Sequence, residues 1–578
     1  MTVRAIAGLV VLNVLLGVLG CALLCALRPG TTRRELLRLA GVAYLLGVAA
    51  LMVALTILIV VGIPVNLLST VLVGVALFAA CVFSARRRRR SRWDAKPSTT
   101  AVVSICGGAL IALLAVVVEA VFRKGRLQGL IEFDGWDSWG PKTKALYQFG
   151  HLDPHFLAGL PGGSYPPGLP ALLATGLHAI GSPDLVTLHL QYWFLGVGFV
   201  AALLGLLATR VTPLLLLPFV LVVFVLPDIR SRSVDMYGDL PLGFLVATAA
   251  LLVALWLEER RPWQLPAASL LLAAAALTKR EGVILAGCVV VAALAASSDR
   301  VRSDWLRLSG VFLSALAAAF LWQIWLWAKG LPGNGPSGGL HFLTDGRRGW
   351  DSLHVVAGNL FTFNLWLISL TIAIAAAALC LLVRAWRLAV YIGMVILMSM
   401  LGCTVILWSD PNLQLTDVNV VSRLVGTVAL TVVALTPLAL QRAWDGVERP
   451  ARVAVPRDAR RRVAVAWALV AVGTIAYPTT LLAEGGARFP SDADCMHAPS
   501  AGDATVLVVF GHPSSYGEAV LLGTRARALG PGAVETVQDG CGRLRVSTVA
   551  TPRAQGEDLV RRARAAGIPA TLEAVPAA

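Results

Sequence analysis

Apolar positions fall in long uninterrupted runs, and polar positions crowd into the stretches between them. Several runs reach the roughly 20 residues that a helix needs to cross a bilayer. In hydrocarbon every backbone polar group must be bonded within the segment, so runs of this length read as helices. The pattern predicts roughly fourteen spans. They lie near 6–27, 39–63, 66–84, 102–122, 185–208, 214–226, 240–257, 265–277, 283–296, 308–327, 356–383, 388–408, 424–440 and 463–482. The first run follows a single early arginine and has no small-residue cleavage site, so it reads as a retained span.

Arginines set the sidedness. They cluster at 28–38, 86–92, 260–261, 300–307, 384–387 and 452–462, between apolar runs. With alternating spans all these clusters fall on one side, the pattern of cytoplasmic loops. The loops 123–184, 227–241, 329–354 and 409–423 and the tail are then extracytoplasmic, and the chain is a multi-pass protein of the cell membrane. The net charge of +16 by itself would fit a nucleic-acid partner. The placement of the arginines argues for no nucleic acid. Composition agrees: 57% hydrophobic and 14% charged, against about 45–50% and 25% in soluble domains.

The predicted fold class is an α-helical polytopic membrane protein with a small C-terminal α+β domain outside the membrane. Residues 1–100 hold the first helices and a basic loop, 101–482 the main membrane domain, and 483–578 the soluble tail. In the tail, 505–510, 534–538, 544–549 and 570–575 read as strands, and 516–529 and 555–566 as helices closed by Gly530 and Gly567. The order is βαββαβ, a split βαβ sandwich. The echo of RARALG before AVETV and RARAAG before TLEAV repeats helix, glycine and strand. This layout resembles SPOR-type domains, small modules that bind peptidoglycan. The alternative is a ferredoxin-like cap packed on the membrane domain. Cys495 and Cys541, both in this tail, are a disulfide candidate. The other seven cysteines lie in or near apolar spans without a CxxC pair and read as small buried residues.

The first large loop carries the densest chemistry. Residues 131–150 read IEFDGWDSWGPKTKALYQFG. Asp134 and Asp137 stand three apart and share a face if the stretch is helical. Trp136 and Trp139 suit the bilayer interface, and Lys142 and Lys144 follow. Carboxylates, ammoniums and indoles at a membrane surface suit a phosphorylated lipid and a sugar. A carboxylate can take a proton from an acceptor hydroxyl, a cation can hold phosphate, and an indole can pack on a sugar. The plainer alternative is an interfacial amphipathic helix with solvated charges. Asp153 and His155 flank Pro154, and Tyr165-Pro166-Pro167-Gly168 precedes an apolar helix. A divalent cation is possible there, although Pro154 interrupts a helix from His151 to His155 and no third ligand is identifiable. Thr278-Lys279-Arg280-Glu281-Gly282 joins two short spans. Ionisable groups near lipid usually face protein, water or a ligand, so the stretch reads as functional, with a tight outer turn as the alternative.

DGWDSWGPKTKALY at 134–147, YPPGLP at 165–170, TKREG at 278–282 and Ser422-Arg423 at a span's outer end together resemble the GT-C superfamily. These are polytopic glycosyltransferases that use polyprenyl-phosphate-linked sugars outside the cytoplasm. The nearest likeness is to the protein-mannosyltransferase and lipid A sugar-transferase type, over about 100–440. The resemblance implies an acidic base in the first large outer loop, here Asp134 and in second place Asp137. It implies basic residues on later outer loops that hold the donor phosphate, here Lys279, Arg280 and Arg423, with Glu281 beside them. The chain departs from the pattern in having three spans before the unit that bears this loop, and one Asp-Gly in place of a paired acidic dipeptide.

The implied reaction is a single displacement with inversion from a polyprenyl-phosphate-sugar donor to a cell-envelope glycan, lipid or protein. In that site Lys142, Lys144 and Tyr165 would contact substrate or phosphate, and Trp136, Trp139, Asp153 and His155 the acceptor or sugar. The pattern fixes no cofactor and leaves a divalent cation open, and membrane lipid is the other expected partner. Two rivals belong to other classes. A transporter or flippase for a lipid-linked precursor predicts ionisable residues deep in spans and repeated halves. A cell-wall scaffold predicts that the tail is the working part.

Overall fold

The computed structural model describes residues 3–87, 101–127, 134–297 and 301–446, apart from 159, 161, 183–184, 332–338, 411–412, 414 and 416. In the tail it describes 506–510, 534–538, 544–548, 553–565 and 570–574.

The membrane part is helical throughout. Its helices are α1 (Val3–Leu27), α2 (Arg33–Arg38), α3 (Ala40–Val60), α4 (Leu67–Arg87), α5 (Ala101–Leu127), α6 (Gly140–Phe149), α7 (Pro154–Ala158), α8 (Gly168–Ile180), α9 (Leu185–Leu207) and α10 (Pro213–Val225). There follow α11 (Pro227–Arg232), α12 (Asp239–Glu259), α13 (Gln264–Thr278), α14 (Glu281–Ala296), α15 (Val301–Ala328), α16 (Gly346–Leu360), α17 (Phe363–Trp366), α18 (Ser369–Leu382), α19 (Trp386–Ser409) and α20 (Val418–Gly446). Among the described residues, eight helices are long and apolar enough to cross a membrane: α1, α3, α4, α9, α12, α15, α19 and α20. The apolar helices α8, α10, α13, α14 and α18 are shorter. This is the architecture of an α-helical, multi-pass membrane protein.

The expected span 356–383 is broken. Its first part belongs to α16, which begins upstream at Gly346 and carries Arg347, Arg348, Asp351 and His354. The chain then turns at Leu367, whose φ of 55° lies in the left-handed region, and α18 starts at Ser369. Polar residues before 356 extend the helix along a wetter surface. The expected span 463–482 lies outside the described residues.

α12 is the central helix. It is apolar around its whole circumference, and every residue from Asp239 to Leu257 is buried. A helix of that kind belongs inside a bundle. α9, α13, α14, α19 and α20 pack against it. α1 and α3 approach at glycines: a Cβ on Gly20 would stand 1.6 Å from the Ala43 carbonyl oxygen, and one on Gly47 2.0 Å from that of Leu16. Small residues allow such close backbone contact in lipid, where packing drives helix association. Beside them Asn13, Tyr44 and Gln191 bond to one another and tie α1, α3 and α9 together.

Ion pairs form two layers, one at each end of α12. At the arginine-rich end, Arg210 grips Glu259, Arg442 grips Glu258 and Arg260 grips Asp304. These pairs bring together the ends of α9, α12, α20 and the start of α15 expected from alternating spans. The opposite layer holds Asp239. Its distance from the first, 21 residues at 1.5 Å each, is about 30 Å, the thickness of a bilayer core.

In the tail, β1 (Val506–Phe510), β2 (Val534–Gln538), β3 (Leu544–Thr548) and β4 (Ala570–Ala574) form one antiparallel sheet in the order β2-β3-β1-β4. Val508 lies opposite Val546 on one side and Leu572 on the other. A helix, Arg553–Ala565, precedes β4. The expected helix at 516–529 and both Cys495 and Cys541 lie outside the described residues. The cysteines described in the membrane part, including Cys288, Cys380 and Cys403, are free thiols.

Candidate functional site

Asp134 stands at the entrance of a π-helical turn, Gly135–Trp139, which runs directly into α6. The Gly140 N–H bonds back to the Gly135 carbonyl across five residues. Such a turn carries one residue more than the α-helical ladder accommodates, and it redirects the side chains around it. Trp139 is fully buried. Its ring stacks on Tyr165 at 5.7 Å and 13°. It also rests on Gly238, where a Cβ would stand 2.6 Å from Trp139 Cζ2. Only glycine fits there, and the next residue is Asp239, the first of α12.

Asp239 is the hub of the site. It is 6% exposed, and its carboxylate accepts from two cations. Lys279 Nζ donates to Oδ1 at 2.7 Å. Arg423 donates to Oδ2 from Nε at 3.0 Å and from Nη2 at 2.9 Å. The same Nη2 reaches Asp134, so Arg423 bridges the two carboxylates. Its guanidinium lies 4.1 Å from the centre of the Tyr237 ring. Three positions far apart in the chain, 134, 279 and 423, thus share one network.

The break between α13 and α14 presents the lysine. Lys279 is extended, with φ −151° and ψ 149°, and separates the two helices. α13 has 15 residues, about 22 Å of helix, against about 30 Å for a bilayer core. Lys279 and Glu281, on either side of Arg280 in this turn, are both buried. Glu281 Oε1 lies 3.6 Å from Lys279 Nζ, while its buried Oε2 has no hydrogen-bond partner. Arg280 Nη2 binds Asp410 at 2.8 Å, which ties this turn to the end of α19. Lys279 and Arg280 both lie over the Tyr165 ring, at 5.6 and 5.4 Å. Behind Arg423, Asp228 pairs with Arg232 at 2.7 Å, and Arg232 also donates to Ser422 Oγ. Burial pushes the Asp228 carboxyl up against the pull of Arg232.

Other expected residues are placed differently. Lys142 and Lys144, expected to face phosphate, are buried inside the protein because α6 packs on α8. Lys142 Nζ donates to the carbonyls of Gly162 and Tyr165, at 2.6 and 3.1 Å. It clamps the loop that carries Tyr165. Burial lowers its ammonium to about 7 and pushes that of Lys144 well below the usual lysine range. Trp139, expected at a wet interface, spends its faces on Tyr165 and Gly238. Asp153 is exposed, and the short α7 begins at Pro154, so His151 and His155 do not share a helix. The side chains of Trp136, Asp137 and His155 lie outside the described part. Among the described residues no three His, Cys, Asp or Glu side chains group as a metal site would need.

Asp239, Asp410 and Tyr237 were not expected from the sequence. Asp239 stood in an outer loop, in GDLP just before a long apolar run, where an acid reads as a partner of the helix dipole. The arrangement balances its charges closely. Lys279, Arg280 and Arg423 face Asp134, Asp239, Glu281 and Asp410, which exceed them by one negative charge. Among these groups a further anion is best accommodated by taking a carboxylate's place.

Compared with known protein families, with characterised proteins and with solved structures, the chain has no significant match.

Proposed function

We propose that the chain is a GT-C-like membrane glycosyltransferase. It moves a sugar from a polyprenyl-phosphate donor to a cell-envelope acceptor on the extracytoplasmic side. The observation that carries this reading is the meeting of Asp134, Lys279 and Arg423 around the buried Asp239. The donor's phosphate takes the place of Asp134 on Arg423 and is held also by Lys279 or Arg280. That exchange keeps the charge balance and frees the Asp134 carboxylate. The acceptor hydroxyl gives its proton to Asp134 while its oxygen attacks the anomeric carbon. The bond from that carbon to the phosphate oxygen breaks, and polyprenyl phosphate leaves with the electron pair. Stabilising the leaving phosphate is the larger contribution, because Asp239 and Asp410 hold the cations in place before it arrives. Phosphate needs no strong general acid, so one carboxylate suffices, unlike the paired plan of glycosidases. The tail, with its SPOR-like pattern, belongs in this reading on the same side as the acceptor.

The test is transfer from a radiolabelled polyprenyl-phosphate sugar in membranes holding the full-length protein, with Asp134→Asn as the variant. Loss of the base should slow transfer by about 10²- to 10⁴-fold. Full activity in Asp134→Asn removes the assignment. Full activity without residues 483–578 is also expected, whereas a scaffold would lose its role.

A further inference from the structure

A long groove runs along the bundle, and no residue of the ionic site lines it. It has a volume of about 1110 Å³ and lies between α3, α13 and α15. Its walls are apolar and small: Val53, Leu265, Ala273, Gly310 and Ala318. At one end stand Arg260 and Arg307. This is the arginine-rich end of the bundle, which the positive-inside rule assigns to the cytoplasmic leaflet. From Arg307 to Leu321, both lining it, the groove follows α15 for about 21 Å at 1.5 Å per residue. One leaflet of hydrocarbon is about 15 Å deep. The groove therefore spans a leaflet and the head-group region next to it.

We propose that this groove binds an anionic phospholipid of the cytoplasmic leaflet, with one acyl chain along α15 and the phosphate at Arg260 and Arg307. Charge complementarity selects this occupant over a neutral lipid. Arg307 is exposed, and no described carboxylate lies within ion-pair distance of it. Arg260 uses Nη1 on Asp304, at 2.7 Å, and its guanidinium stacks 4.2 Å from the Trp256 ring. Arg260 holds a left-handed backbone, φ 56°, at the end of α12. That conformation is uncommon for a residue with a side chain, and here it puts the guanidinium over the groove's mouth. The surroundings add to the positive field. Arg28, Arg38, Arg210 and Arg261 act on one another around Glu35 and Glu259. Arg28 Nη1 and Trp263 Nε1 are buried there without a hydrogen-bond partner. A phosphate at a basic surface of this kind gains from several cations at once.

The experiment uses the full chain in nanodiscs of mixed phosphatidylglycerol and phosphatidylcholine with matched acyl chains, read by native mass spectrometry of retained lipid. The expected result is several-fold retention of phosphatidylglycerol over phosphatidylcholine, lost in Arg307→Gln and in Gly310→Leu. A Cβ at Gly310 meets nothing within 4 Å, so leucine fills the groove without a clash. Gly17→Leu, also on open space but in α1, controls for an added leucine and should keep the preference. Equal retention of the two lipids overturns the proposal. So does a preference that survives both groove variants, or one lost equally in Gly17→Leu.

Discussion

Asp239→Asn is the sharpest test of the ionic network. Asparagine keeps the size and one acceptor oxygen but removes the charge that Lys279 and Arg423 share. Both cations and the carboxylate are mostly buried, at 9%, 13% and 8% side-chain exposure, so solvent screens little of the loss. Turning charged hydrogen bonds into neutral ones costs roughly 1 kcal/mol each. Breaking a buried pair outright costs about 3–5 kcal/mol. The expected loss is therefore about 2–5 kcal/mol. A domain of a few hundred residues shifts its melting point by roughly 2–4 °C per kcal/mol, and a larger one by less. The variant, purified in mild detergent and followed by tryptophan fluorescence, should melt roughly 2–4 °C lower for a chain of this length. It should also gain an anion site. With Asp239 neutral, added inorganic pyrophosphate should raise the melting point of the variant more than that of the wild type. A variant that melts with the wild type and does not respond to the anion refutes the hub.

Three further outcomes follow from the same geometry. Arg423→Lys keeps the charge but cannot reach Asp134 and Asp239 together, so transfer in membranes should fall at least about tenfold while the protein still folds. Gly238→Ala drives a methyl into Trp139, whereas Gly74→Ala, with open space at its Cβ, should be neutral; thermal unfolding of the pair checks the contact. Lys142 is held at about 7 when folded and titrates near its ordinary 10.5 when unfolded. Between those values the unfolded chain binds more protons, so stability rises with pH from about 7 to about 10.5. Lys142→Met should flatten that rise in melting points measured across the interval, and an unchanged slope counts against the buried amine.

Much of the membrane fold is readable from the chain because hydrocarbon leaves few choices. Apolar runs between arginine clusters place most helix ends, and the two ion-pair layers lie where alternating spans put them. The run 356–383 misled because hydropathy joins Val356 to Val383 across a turn that depends on the backbone at Leu367. The loop DGWDSW and the TKREG junction stood out by their density of ionisable and aromatic residues. What joins them did not. Asp239 is one acid before an apolar run, and nothing local distinguishes a hub from a helix cap. The lysines of α6 failed in the opposite way. Next to tryptophans in a polar loop they read as wet, and only the packing of α6 on α8 makes them interior groups.

The π-turn at Gly135–Trp139 has one more consequence, in the currency of chain length. Loops on a protein surface usually tolerate gain or loss of a residue, since the slack is taken up nearby. Here the slack is already in use. Remove one residue between 135 and 139, and a continuous α-helix forms from Asp134 into α6. Every side chain beyond the deletion then turns by about 100° relative to Asp134. Trp139 leaves Gly238 and Lys142 leaves its carbonyls, although no residue at the site has changed its chemistry. This stretch should therefore keep its length more strictly than its composition, and a one-residue deletion will probe it more severely than substitution at Ser138.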